Sequence, residues 1–470
     1  VVYYTIYNIW HLNNPKEDEI MNKLAWIMVI LVFASLAPTP LEGMEKNQFS
    51  PEELFKLSEN FFHYLREGKY DVAEELFSPE VQETLSEKTL KKTWESLTSD
   101  LGPLQEVRDY QATAERGYQI VYARCEFEKA EFKAKLVFSE EGKIIGFQLL
   151  PSSQVEYSLP DYVEENKITE REVVFGIPGW ELPGTLTLPQ GEGPFPGLVL
   201  IHGSGSNDRD ETILANKPLK DLAGGLASRG IAVLRYDKRT YVHGDKIKDL
   251  SQFTVEEEVI EDALAALEFL RHQEEINPQA VFILGHSLGG QLVPEIARRD
   301  GKVAGVIILA GPTRPLSELI VEQTEYIFSL DGQIDDKERE QLEEIKKGRD
   351  RLKNHELRED EIVPGLGSYA NYWYDLEKRD PVAEARKLSC PLLILQGERD
   401  YQVTMVDFNN WKEGLSSREN VTFKLYPHLN HLFIAGEGKS TPGEYQNPGH
   451  VDKQVIEDIA QWIKEVSPTL

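Results

Sequence analysis

The segment Val281-Phe-Ile-Leu-Gly-His-Ser-Leu-Gly-Gly290 restricts what this chain can fold into more than any other. Four apolar residues read as a buried strand. They run directly into Gly285-His-Ser-Leu-Gly289, after which Leu288, Leu292 and Ile296 recur at helical spacing. A serine held on so sharp a strand-to-helix turn needs residues without side chains two places to either side, because the backbone there packs too closely for a Cβ. The turn aims the Ser287 hydroxyl outward and sets it at a helix N-terminus, where free N–H groups stabilise developing negative charge.

From residue 171 onward the pattern is strand, strand, then strict alternation of strand and helix. Strands are expected at 198–201, 231–235, 281–284, 306–310, 391–395 and 421–425. Between them fall a helix over 218–229, with Pro at its start and Gly230 at its end, and one opened by the capping box Thr254-Val-Glu-Glu257. A last helix carries Ile456, Ile459 and Ile463 on one face. Alternation on this scale implies an α/β domain over 171–468, with a mostly parallel sheet and helices on both faces. Pro294 should kink the helix after Ser287. Residues 312–389 interrupt the alternation with a helical insertion, expected to lie as a lid over the C-terminal edge of the sheet, where open α/β sheets bind ligands. Its Tyr372 and Trp373 are candidates to line a substrate pocket, with packing of the lid itself as the alternative.

The first part of the chain reads differently. Residues 1–20 carry no domain pattern and are read as upstream sequence ahead of a natural start at Met21. Met21-Asn-Lys23 followed by an apolar run over 24–37 has the form of a secretory signal, ending by residue 43. That run is shorter than the roughly 20 residues of a spanning helix. Cleavage gives a secreted or cell-envelope protein, and an uncleaved signal gives a membrane anchor. Residues 48–151 show helices first and alternating strands after, an α+β domain with one wet sheet face, and 152–170 is a polar linker. A net charge of −29 over 470 residues offers no basic face for nucleic acid. The two cysteines, Cys125 and Cys390, fall in different domains and form no disulfide framework.

An activated serine needs a base, an acid to orient the base, and donors for an oxyanion. Candidates occur in the order Ser287, Asp400, His431. Asp400 closes Gly397-Glu-Arg-Asp400 directly after a buried strand and is preferred to Glu398, which falls inside the turn. His431 follows the last strand, with His428 as the competing histidine. His202-Gly-Ser-Gly205 after its own strand suits an oxyanion loop, so the backbone donors are assigned to Ser204 and Leu288. Asn207-Asp-Arg-Asp210 lacks the spacing of a calcium loop and reads as a polar turn. This chemistry calls for no metal or cofactor.

Taken together, His202-Gly-Ser-Gly-Ser-Asn-Asp-Arg-Asp210, Tyr236-Asp-Lys-Arg239, Gly285-His-Ser-Leu-Gly289, Gln396-Gly-Glu-Arg-Asp400 and Asn430-His-Leu-Phe433 resemble the α/β-hydrolase superfamily. Within it they are similar to a group of bacterial serine esterases whose N-terminal domain is similar to cystatin or nuclear-transport-factor folds. The resemblance implies a small-molecule carboxylic ester as substrate, with short- to medium-chain acyl esters expected. Dienelactone hydrolases are relatives with cysteine at the elbow, and Ser287 argues against their chemistry. A peptidase, acyltransferase or thioesterase would use the same triad. A cell-envelope binding protein with an inactive hydrolase fold would be expected to lack a triad member, and none is missing.

Overall fold

The computed structural model describes residues 49–467 apart from 116–117, 140 and 152–156. The segments read as upstream sequence and secretory signal lie outside the described residues. Residues 49–151 and 157–467 belong to two compact units.

The first unit opens on the helix Pro51–Arg66. Ser50 Oγ accepts the Glu53 N–H, and Glu53 Oε2 accepts the Ser50 N–H at 2.8 Å, so each satisfies an otherwise orphaned donor. Leu54, Phe61, Phe62 and Leu65 form its buried stripe, with Phe55 and Leu57 at the margins. Four antiparallel strands follow in the order β1 (Leu104–Glu115), β2 (Tyr118–Phe127), β3 (Glu131–Phe138) and β4 (Ile144–Pro151). Along β3 the residues Phe132, Ala134, Leu136 and Phe138 are buried while Glu131, Lys133 and Lys135 alternate with them on the other face, the period of two that a half-wet sheet requires.

The second unit holds one sheet ordered β12-β11-β10-β9-β7-β8-β6-β5. Its strands are β5 (Ile168–Ile177), β6 (Trp180–Pro189), β7 (Phe195–Ile201), β8 (Ala232–Tyr236), β9 (Ile276–His286), β10 (Gly305–Leu309), β11 (Leu392–Gly397) and β12 (Val421–Tyr426). The six strands from β7 to β12 run parallel, and β5 and β6 add an antiparallel edge hairpin. Helices cover both faces. Val281 and Ile283 of β9 face the core beneath Glu261–Arg271 and Leu288–Asp300, whereas Phe282 and Leu284 face the core beneath Pro218–Ala227 and Lys453–Val466. A strand buried on both sides has no polar face, which is why its sequence reads as an unbroken apolar run.

Between β10 and β11 the chain makes the helices Leu316–Phe328, Asp336–Lys353, Ala370–Glu377 and Pro381–Lys387, the inserted lid region. Gln323 Nε2 donates to the Gln402 carbonyl at 2.9 Å and the Tyr326 hydroxyl to the Ser440 carbonyl at 2.8 Å, so the insertion is tied to segments beside Asp400 and His431. Two local expectations change, at the start of β5 and at the helix opened by Thr254. Strand β5 begins at Ile168, inside the stretch read as linker. The helix after Ser287 runs from Leu288 to Asp300 with Pro294 inside it, so the proline does not end the helix, as the expected kink also allows. The helix opened at Thr254 starts with a π-helical turn, Glu256–Ile260, before its α-helical part.

Candidate active site

Parallel strands deliver their C-terminal ends to one edge, and four such ends carry the candidate residues. Ser287 follows β9 with φ 52° and ψ −119°, well outside the ordinary regions for a residue with a Cβ. The close packing that imposes this is visible on both sides. A Cβ on Gly285 would lie 2.2 Å from the Gly289 carbonyl oxygen, and one on Gly289 would lie 2.5 Å from that of Ile201. Leu288 is the first residue of the helix, so its N–H has no partner within it.

Asp400 lies three residues after β11 and His431 five after β12. His431 Nδ1 meets Asp400 Oδ2 at 2.7 Å, with both side chains buried. Asp400 is itself held: its Oδ1 accepts the N–H groups of Gln402 and Val403 at 2.8 and 3.0 Å, and Gln396 Nε2 donates to its Oδ2 at 3.2 Å. Asn430 Oδ1 accepts the N–H groups of Leu432 and Ile434, which fixes the turn carrying His431. Glu398 and His428, the competing residues, are exposed.

The loop after β7 runs against the serine. A Cβ on Gly203 would stand 3.2 Å from Ser287 Cβ and 2.8 Å from Glu211 Oε1. The Gly203 N–H donates to that Glu211 oxygen at 2.7 Å, and the Gly203 carbonyl accepts from Lys238 Nζ at 3.0 Å. Ser204, partly exposed, comes next. Asp210, in the neighbouring polar turn, pairs with Arg235 and Lys217.

Beneath these groups lies a contact that joins three loops. His286 Nδ1 faces Glu211 Oε2 at 3.0 Å, and its Nε2 donates to the His431 carbonyl at 3.0 Å. Burial alone would lower the His286 pKa, but the Glu211 carboxylate, helped by that carbonyl, raises it above the ordinary histidine value. Burial would raise Glu211, and the His286 charge instead pulls it down. His202, fully enclosed against the Tyr236 ring, is pushed down by burial.

The two lid candidates separate. Trp373 has no exposed surface and lies in the main apolar core, so it packs the insertion and does not line a pocket open to substrate. Tyr372 is half-buried, and its hydroxyl donates to Glu258 Oε2 at 2.7 Å. Sequence reasoning gave no role to Glu211, Lys238, Glu258 or His286. The available signal was that charged residues placed just after β7 and β8 emerge at the same edge as Ser287.

This fold, with a serine elbow and a histidine–carboxylate pair at the same strand-end edge, the histidine's carbonyl held by His286 next to the serine, defines a serine hydrolase of the α/β-hydrolase class. Residues 216–438 match a family described as serine aminopeptidase, S33, and residues 58–147 one described as a protein of unknown function, DUF3887. The chain is 43% identical over 403 residues to esterase EstD of Thermotoga maritima, covering 86% of this chain and 93% of EstD, and it belongs to that family. Among solved structures, Est1E from Butyrivibrio proteoclasticus is 18% identical with a TM-score of 0.41, over 63% of this chain and 98% of its own. An acylaminoacyl peptidase of Pyrococcus horikoshii is 13% identical with a TM-score of 0.45, over 76% and 56%.

Proposed function

We propose that the protein is an extracytoplasmic serine esterase that hydrolyses short- to medium-chain acyl esters through an acyl-enzyme. Its kinship with an esterase over most of its length supports ester hydrolysis. The observation that carries the mechanism is the 2.7 Å bond between His431 Nδ1 and Asp400 Oδ2 on the loops that meet the strained Ser287 turn through His286.

Ser287 Oγ attacks the ester carbonyl as His431 takes its proton on Nε2. Asp400 holds the imidazole in the tautomer with hydrogen on Nδ1 and stabilises the imidazolium. The N–H groups of Ser204 and Leu288 receive the oxyanion. His431 then protonates the departing alcohol, activates a water against the acyl-enzyme, and returns the proton to Ser287 as the acid leaves. The test is a panel of p-nitrophenyl esters graded by acyl length with a Ser287→Ala control. Turnover should be greatest on the shorter acyl chains and depend on Ser287. A preference for long chains, or undiminished turnover in the variant, would overturn the reading.

The match of residues 216–438 to a family described as an aminopeptidase favours a second reading, peptide cleavage. Aminoacyl anilides and an added amine acceptor in the same assay separate hydrolysis of esters from peptidase and acyl-transfer activity. Extracytoplasmic location rests on the basic start and apolar run from Met21 to residue 37. Protein expressed in a bacterium from Met21 should begin between Ala37 and Met44, and soluble cytoplasmic protein with an intact N-terminus would argue the opposite. For the first unit, the order of helices followed by an antiparallel four-stranded sheet supports a cystatin- or nuclear-transport-factor-like fold.

A further inference from the structure

We propose that Lys238 is a positioning residue for catalysis: by holding the Gly203 carbonyl it aims and strengthens the Ser204 N–H as oxyanion donor, and Glu258 and Tyr372 join that peptide to the inserted helices. The inference rests on the serine-hydrolase reading above.

Lys238 follows β8 and is 2% exposed. Its ammonium uses its three donors on the Gly203 carbonyl at 3.0 Å, the Gly205 carbonyl at 2.9 Å and Glu258 Oε1 at 2.7 Å. A trans peptide is planar, so the Gly203 carbonyl and the Ser204 N–H point in opposite directions, and fixing one fixes the other. Glu211 holds the N–H on the near side of Gly203, and Asn207 Nδ2 adds a bond to the Gly203 carbonyl at 3.3 Å and one to that of Ser204 at 3.2 Å. A loop with glycine at 203 and 205, the latter at φ 98°, otherwise has freedom to turn this peptide over. A cation on the carbonyl oxygen also draws electron density from the amide, which makes its N–H the stronger donor.

A buried ion pair is a poor way to gain stability, since apolar side chains of like volume serve as well. What apolar groups cannot do is grip two carbonyls of a loop whose Gly203 lies against Ser287. Glu258 reaches Lys238 from the π-helical turn Glu256–Ile260, a local irregularity that recurs at functional sites. Its other oxygen takes the Tyr372 hydroxyl from the inserted helix Ala370–Glu377. Displacement of that helix therefore removes a donor from Glu258 and alters its hold on Lys238.

The experiment compares wild type, Lys238→Met and the double variant Lys238→Met with Glu258→Gln, on one p-nitrophenyl ester and on an aryl trifluoromethyl ketone. The ketone adduct of Ser287 carries the same oxyanion. Lys238→Met should lower kcat by about 10²- to 10³-fold, the scale of a lost oxyanion donor, with KM little changed. Affinity for the ketone should fall by a similar factor, and affinity for the product acid should hold. Because the single variant leaves a carboxylate buried without its partner, the double variant, which removes both charges, decides the matter if the single one does not fold. Tyr372→Phe, which keeps Lys238 in place, should cost less than about tenfold in kcat. A folded variant lacking Lys238 with kcat and ketone affinity within about threefold of wild type would overturn the inference. So would loss of kcat with ketone affinity retained, which assigns Lys238 to loop stability alone. Absence of Ser287-dependent turnover in wild type would instead remove the underlying reading.

Discussion

At the scale of single residues, Ser287, His431 and Asp400 differ in what each is asked to do, and so in what their loss costs. Ser287→Ala and His431→Ala should each lower kcat by roughly 10⁶, and Asp400→Ala by roughly 10⁴, because the acid orients the base without joining the covalent chemistry. His428→Ala, on an exposed side chain, should be mild. Steady-state kinetics on one activated ester checks the order, and a severe His428 variant beside a mild His431 one would reverse the assignment. The His286–Glu211 pair makes a separate expectation about pH. Unfolded histidine titrates near about 6.5 and glutamate near about 4.3. His286 is raised in the fold, so its contribution is full below about 6.5 and is lost as pH rises through its raised value; Glu211 is lowered, so its contribution is full above about 4.3 and is lost as pH falls through its lowered value. Asp400 adds to the rise of His286, and His202 to the fall of Glu211. The pair should stabilise most between the two unfolded values, and Glu211→Gln should flatten the decline on the alkaline side, read from Tm against pH. Neither residue was given this role from sequence. A motif spaced over five residues is legible in the chain, whereas the partner of a buried charge 75 positions away is set only by the fold.

Elements were legible where local pattern and tertiary demand coincide. The buried runs of β7, β9, β10 and β11 are apolar on both faces because both faces are covered. The π-helical turn at Glu256–Ile260 was not legible. Thr254-Val-Glu-Glu257 carries an ordinary helix start, and its Glu257 Oε2 does accept the Thr254 N–H at 2.9 Å. The distinguishing partner of Glu258 is Lys238, in another element, which no capping rule can report. Trp373 was left between pocket and core for a like reason: an aromatic within a polar insertion suits either equally, and only burial separates them. Trp373→Ala should cost about 3–5 kcal/mol in unfolding free energy, the range for a large aromatic removed from a core, and leave acyl-chain preference unchanged. Denaturant unfolding and the graded ester panel measure the two parts. An altered preference without loss of stability would return Trp373 to the pocket.

On the scale of the whole molecule, every residue given a role in the chemistry belongs to the unit formed by 157–467. A chain starting at Tyr157 keeps the bond from that hydroxyl to Asp221 at 2.6 Å and should retain kcat on a small activated ester. A folded truncation that loses turnover while Ser287 still reacts with an organophosphate would show that the first unit contributes to the reaction. The site is gathered from positions 204, 287, 288, 400 and 431, and its last member stands after β12, the strand that ends one edge of the sheet. An unfinished or unfolded chain therefore carries Ser287 as an ordinary alcohol, with no base to take its proton. Such a chain can leave the ribosome and wait among the cell's own esters without consuming them. Recovery of turnover on refolding then reports the docking of the edge strand and its loop, which core fluorescence alone does not.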